Sequence, residues 1–273
     1  MNSDARAVVR LLIVIPEQEG ESAVELELGR TRSRGFEVIA RAHTETQALQ
    51  RYFQCAPDIV ILDIRMPVLN GLGAARLLQQ RLPALKVVSS FGVGLDRLPL
   101  DAARAAGLPV GYTPDVLNDC VADLAMGLMI DSARRLSEAD RFVRSGAWSS
   151  TTGFPLARRV SGKRLGIVGL GRIGEAVALR ASGFSMPVRY HNRRAVEGSA
   201  YQHEPDLLAL ARWADFLVLT CPGGKATHHL INAEVLEALG PDGFLINVAR
   251  GSVVEESALI TALQKGVIGG AGL

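Results

Sequence analysis

Three glycines at the spacing Gly169-x-Gly171-x-x-Gly174, in the run GIVGLGRIGEAV, form the pattern in this chain that most directly implies chemistry. Gly169 suits a tight turn, Gly171 lets a pyrophosphate approach the backbone, and Gly174 allows a helix to pack closely on a strand. An apolar strand precedes the run and an amphipathic helix follows it. Arg172 and Ile173 open that helix, whose free N–H groups and partial positive charge face the phosphates. The plainer alternative is a ligand-free βα turn, but the strand–turn–helix setting favours a dinucleotide. The next strand, PVRYHNRR, ends in Asn192, Arg193 and Arg194, where an NAD site places Asp or Glu on the ribose hydroxyls. A carboxylate there would repel a 2′-phosphate, whereas a guanidinium pairs with it in a bidentate way. Such a contact is worth roughly 1.5–3 kcal/mol, enough to decide cofactor choice. Unless both arginines are merely solvated loop charges, NADPH is expected over NADH, with Asn192, Arg193 and Arg194 as contacts.

Elements must hold these residues in place. Short apolar runs alternate with amphipathic stretches along the whole chain, which predicts βα units and parallel sheets. The first half offers strands at Leu11–Ile15, Glu37–Ala40, Ile59–Leu62, Lys86–Ser89 and Pro109–Tyr112. Helices are expected there near Ser22–Ser33, Thr44–Gln54, Gly71–Arg81 and Asp101–Ala106. A long helical pattern without proline then runs from Leu117 to about Ser145. The second half predicts strands at Arg164–Gly169, Pro187–His191, Phe216–Thr220, Gly243–Val248 and Gly269–Leu273. Its helices are expected near Ile173–Ala181, Pro205–Arg212, Ala233–Ala238 and Glu256–Lys265. The fold class is therefore α/β: a flavodoxin-like domain over residues 1–118, with strand order 2-1-3-4-5, followed by a doubly wound Rossmann domain over 119–273.

Composition narrows the function classes. Hydrophobic residues at 48% and charged residues at 21% describe a folded globular chain. A formal charge of +2 argues against a nucleic-acid partner. No apolar run reaches the ~20 residues of a membrane span, and MNSDARAVVRLLIVIP reads as a buried first strand, not a signal peptide. Cys55, Cys120 and Cys221 are too scattered for a disulfide framework or a metal site. A reduced, cytoplasmic protein without metal is expected.

From about Leu85 onward the chain resembles the D-2-hydroxyacid dehydrogenase family, above all its glyoxylate and hydroxypyruvate reductases. The resemblance rests on LKVVSSFGVGLDRLPL, YTPDVLNDCVADLAMGL, RFVRSGAW, VSGKRLGIVGLGRIGEAV, YHNRR, TCPGGKATHHLINAEVLEALGPDGFLINVARGSVVEESALITAL and IGGAGL, in unbroken order. It implies a small 2-keto acid as substrate, bound through its carboxylate by the amides around Val93 and Gly94. It also implies that Cys221, Pro222 and Thr227 line the adenosine side of the cofactor, and that Val248 and Ala249 follow the nicotinamide ribose. Arg250 would be the catalytic arginine, its fork pairing with carboxylate and carbonyl of the substrate. In the relatives a homodimer forms around the long helix, and the apolar face Val121, Leu124 and Leu128 fits either that contact or packing on the helix's own domain.

Two departures qualify the resemblance. The family's glutamate and its general-acid histidine lie beyond the GAGL strand, and the chain stops at Leu273. His43, His191, His203, His228 and His229 do not stand in that catalytic context. General acid catalysis contributes roughly 10²–10⁴-fold, so weak or absent turnover is expected. Residues 36–85, and DIVILDIRMPVLNG above all, resemble a response-regulator receiver domain, in which Asp63 would be the phosphoacceptor. The acidic pair and the lysine that this chemistry requires are missing, so a hybrid with a vestigial Asp63 is expected. Three functions follow: a reductase of small 2-keto acids, which the resemblance names; a nucleotide-binding module without turnover, which the missing acid–base residues favour for this chain; and, weakest, a receiver switched at Asp63.

Overall fold

In a computed structural model the chain is described without interruption over residues 109–273. Before that, the described stretches are 9–14, 36–42, 59–62, 88–89, 93–96 and 100–105, with single residues at 47, 50, 51, 54, 55 and 107. The chain divides into two compact units, Met1–Thr113 and Pro114–Leu273.

In the first unit, β1 (Val9–Val14) lies between β2 (Phe36–Ala42) and β3 (Ile59–Leu62), all parallel. Runs such as VRLLIV and IVIL are rich in β-branched residues, which fit a pleated surface better than a helix. The two-residue strands β4 (Val88–Ser89) and β5 (Val110–Gly111) form a second parallel pair, and α1 (Leu100–Ala105) lies between them in sequence. The helices expected at Ser22–Ser33 and Gly71–Arg81, and Asp63 itself, lie outside the described residues. Within Thr44–Gln54, residues 47, 50, 51 and 54 are helical.

The second unit is built on one six-stranded parallel sheet. In chain order its strands are β6 (Leu165–Val168), β7 (Val188–His191), β8 (Gln202–His203), β9 (Phe216–Leu219), β10 (Phe244–Asn247) and β11 (Gly270–Gly272). In space they run β11-β10-β9-β6-β7-β8, the doubly wound order that reverses direction between β6 and β9. Helices cover both faces, so the central strands are buried on each side and read as continuous apolar runs.

Side chains alternate between the two faces. Phe216 and Val218 of β9, with Phe244 and Ile246 of β10, join one core layer under α2 (Asn118–Arg134) and α4 (Arg172–Ser182). Leu217, Leu219 and Leu245 join the other, under α5 (Leu207–Trp213), α6 (Ala233–Leu239) and α7 (Glu256–Gln264).

Three features differ from expectation. Strand β8 was not foreseen, because Gln202–His203 is too short and polar to give a strand signal. The single helix expected over Leu117–Ser145 is two, α2 and α3 (Leu136–Arg144), broken at Arg135 in a left-handed conformation at φ 56°. No glycine or proline marks the break. Asp131 makes it: its carboxylate accepts from both the backbone N–H and the hydroxyl of Ser137, each at 2.7 Å, and so caps the new helix. Those two bonds hold the Asp131 carboxyl below its ordinary value. Finally, the buried face of α2 is Ala122, Ala125, Met126, Met129 and Ala133. Of the three residues read as its apolar face, Leu128 packs against the core and Val121 is half-buried, while Leu124 is 56% exposed.

Candidate functional site

Because the sheet is parallel, the carboxyl ends of β6, β7, β9 and β10 share one edge, and the residues singled out in the second unit gather there. Gly169 follows β6, Asn192–Arg194 follow β7, Cys221 and Pro222 follow β9, and Val248–Arg250 follow β10. The reversal of strand order between β6 and β9 opens the crevice in which such folds bind ligands.

Each glycine of the turn meets a separate constraint. Gly169 has φ +102°, and a Cβ there would lie 2.5 Å from the backbone nitrogen of Cys221. At Gly174 a Cβ would come within 2.6 Å of the Gly169 carbonyl oxygen, where α4 crosses the end of the strand. At Gly171 an added Cβ would meet nothing within 4 Å, so the backbone is open on that side. Gly171 caps α4 without a side chain, and the first-turn N–H groups of Arg172, Ile173 and Gly174 lack intrahelical acceptors. An accessible backbone with free donors and the positive end of a helix dipole is a cradle for phosphate.

The rest of the turn is braced by hydrogen bonds. Gly169 donates its N–H to His191 O at 2.9 Å, and the Thr220 hydroxyl donates to Gly169 O at 2.7 Å. The carboxamide of Asn192 accepts from the Leu170 N–H at 2.7 Å and donates to Leu170 O at 3.1 Å. Arg193 and Arg194 lie beside this scaffold, exposed and outside any salt bridge among the described residues. Arg172 pairs with Asp115 at 2.9 Å, both side chains more than half exposed. Ile173 packs on the first core layer.

Cys221 is buried, and burial pushes its thiol up, so it is a neutral packing residue and not a nucleophile. Thr227 closes the following loop by donating its hydroxyl to Pro222 O at 2.7 Å. After β10, Asn247 holds the segment that carries Arg250: its carbonyl accepts from the Ala249 N–H and its amide donates to Arg250 O, each at 3.0 Å. Val248 and Ala249 pack on opposite core layers, and Arg250 is half-buried.

Val93 and Gly94 belong to the first unit, both half-buried. The ring nitrogens of His191 and His203 sit 3.0 Å from the backbone carbonyls of Glu204 and Asn192. His228 and His229 stack on each other and are exposed. His43 lies outside the described residues. No cluster that could hold a metal occurs among the described residues, and no described helix is long and apolar enough to cross a membrane.

Sequence reasoning missed Thr220 and Asn247. Both stand at strand ends, where a polar residue after an apolar run signals a side chain turned to local backbone.

Residues 126–273 match the family described as D-isomer specific 2-hydroxyacid dehydrogenase, NAD binding domain. The chain is 47% identical over 231 residues to glyoxylate/hydroxypyruvate reductase A of Arabidopsis thaliana, covering 82% of this chain and 74% of that one. It is 48% identical over 204 residues to a hydroxyphenylpyruvate reductase of Plectranthus scutellarioides, covering 75% and 65%. Among solved structures, the NADPH-dependent glyoxylate/hydroxypyruvate reductase of Sinorhizobium meliloti, in complex with NADP and malonate, superposes with a TM-score of 0.83 at 36% identity. That match covers 98% of this chain and 79% of the other.

Proposed function

This chain belongs to the D-isomer specific 2-hydroxyacid dehydrogenase family, and we propose that it acts as an NADPH-dependent reductase of small 2-keto acids such as glyoxylate and hydroxypyruvate. The observation that carries the reading is the open face of Gly171 together with the exposed guanidiniums of Arg193 and Arg194, which follow β7 at the same sheet edge and form no salt bridge among the described residues. The first-turn amides of Arg172, Ile173 and Gly174 hold the pyrophosphate. Arg193 and Arg194 meet the 2′-phosphate, where an NAD site would set a carboxylate. Cys221, Pro222 and Thr227 border the adenosine, and Val248 and Ala249 border the nicotinamide ribose. When bound, NADPH supplies the hydride. Arg250 binds the substrate carboxylate and polarises its carbonyl, a role for which its planar fork is suited. Within the first unit, the amides around Val93 and Gly94 offer donors suited to a carboxylate.

Support for the substrate class comes from the two reductases and from the malonate-bound structure, whose ligand carries carboxylates. The structural match extends over both units. This supports reading the first unit as the family's substrate domain with a flavodoxin-like sheet, and the observed 2-1-3 and 4-5 strand pairings agree with it. The receiver-like reading of residues 36–85 gains no support from the comparisons. A homodimer through α2 and α3 is supported by the exposure of Leu124, Leu136 and Val143, and light scattering checks it.

Calorimetric titration with NADPH and with NADH tests the cofactor site. Binding that favours NADPH at least tenfold is expected. Equal affinity would remove the role given to Arg193 and Arg194, and no binding of either would end the reductase reading. With binding in hand, the loss of NADPH absorbance on adding glyoxylate or hydroxypyruvate tests turnover.

A further inference from the structure

Asn192 stands directly before Arg193 and Arg194, and by position it belongs with them as a contact to the nucleotide. Its geometry assigns it other work. Both functions of its carboxamide go to one residue of the glycine turn, the carbonyl accepting from Leu170 N–H and the amide donating to Leu170 O. Turned over, the group would set donor against donor and acceptor against acceptor, so the bonding itself fixes its orientation. Leu170 is only 3% exposed, which makes unpaired peptide groups there costly. Behind Asn192, His203 of the edge strand β8 places Nε2 3.0 Å from its backbone carbonyl. A carbonyl can only accept, so that nitrogen carries the hydrogen.

We infer that Asn192 is a positioning residue, a side-chain clamp that holds the Leu170 peptide so that Gly171 and the first turn of α4 keep their phosphate-receiving shape. His203 steadies the clamp from β8. The inference rests on the proposed dinucleotide site and changes how that site is divided. Recognition of the 2′-phosphate falls to Arg193 and Arg194, while Asn192 serves the pyrophosphate that NADPH and NADH share. An aspartate in its place would still accept from Leu170 N–H, but would set a carboxylate against the Leu170 carbonyl.

The division predicts a pattern that a phosphate ligand would not produce. Affinities for NADPH and NADH are measured by calorimetry for the wild type, Asn192→Ala, His203→Ala, His203→Gln and the double variant Arg193→Ala/Arg194→Ala. In parallel, hydrogen–deuterium exchange is followed in the free proteins over the peptide from Gly166 to Glu175. Asn192→Ala is expected to weaken both nucleotides by about tenfold with their ratio kept, and to speed exchange in the peptide. The arginine double variant loses affinity for NADPH alone. His203→Ala moves in the same direction as Asn192→Ala but less, and His203→Gln, which can restore a donor near Nε2, stays close to wild type.

A loss in Asn192→Ala confined to NADPH would overturn the inference, as would unchanged exchange in that folded variant. Should Asn192→Ala not fold, His203→Ala carries the same two readouts, because it leaves the carboxamide in place. If the wild type binds neither nucleotide, the proposed function fails, while the exchange measurement still decides whether Asn192 clamps the turn.

Discussion

The glycine turn after β6 and the end of β7 stand side by side and are built on opposite principles. The turn is backbone braced everywhere but at the open face of Gly171: Cys221 stands against Gly169, Gly169 against Gly174, and Thr220, His191 and Asn192 hold it through hydrogen bonds. Its rigidity suits a pyrophosphate, which every dinucleotide carries. The end of β7 instead presents two exposed guanidiniums on long stems, with no ion pair among the described residues. There the ligands differ, and a change of side chain alters preference without disturbing the sheet. The proposed function thus places general recognition in the packed scaffold and discrimination in the solvated rim.

The sharpest break of this contrast is Gly174→Ala. A Cβ 2.6 Å from the Gly169 carbonyl forces α4 away from β6. We expect about 3 kcal/mol of lost stability together with loss of both nucleotides, read by thermal unfolding and calorimetry. Gly171→Ala separates folding from binding. Its Cβ has no neighbour within 4 Å among the described residues, so the melting temperature should hold, while the methyl occupies the space the pyrophosphate needs and affinity falls about a hundredfold. A drop in stability as large as that of Gly174→Ala would show the turn to be packed on all sides.

On the rim, Arg193→Ala/Arg194→Ala should cost NADPH about tenfold or more and leave NADH nearly untouched. An equal loss for both would erase the distinction between scaffold and rim.

The smallest effect is expected at the opposite edge of the same strands, where Arg164 and Asp215 join the starts of β6 and β9. Arg164 Nε lies 3.1 Å from Asp215 Oδ2, and the Arg164 backbone N–H donates to the same oxygen at 2.8 Å. Burial pushes the Asp215 carboxyl up, yet the bonds from Arg164 outweigh it and leave the group below its ordinary value. A depressed carboxyl contributes stability above its unfolded value, near pH 4, and loses it as pH falls through the folded value. Arg164→Ala should therefore flatten the acid limb of the stability profile by under about 1 kcal/mol, with nucleotide affinity unchanged.

Much of this arrangement is legible in the sequence because it follows local rules. Apolar runs such as LGIV, FLVL and FLI marked β6, β9 and β10, since a parallel strand buried on both faces favours a continuous apolar run. The glycine spacing located the turn, and the arginines after PVRYH located its rim. What escaped had no local signal. Gln202–His203 becomes a strand only because β7 lends it a partner. Arg135 adopts a left-handed backbone because Asp131 reaches forward to cap Ser137. The face α2 turns to the core lies about one residue along from Val121, Leu124 and Leu128, because alanines and methionines fit the close approach of α4.

By itself the sequence determined which residue types could bind a dinucleotide, and in what order along the chain they come. Only the tertiary structure decided what each one does there. Asn192 and its two arginine neighbours are adjacent in sequence, yet the carboxamide turns inward to the Leu170 peptide while the guanidiniums remain in solvent. Glycine spacing and strand pattern are set by backbone geometry over a few residues, and so can be read along the chain. The work of a polar side chain depends on which unpaired backbone group another strand brings within reach, and that is settled only when the sheet is assembled.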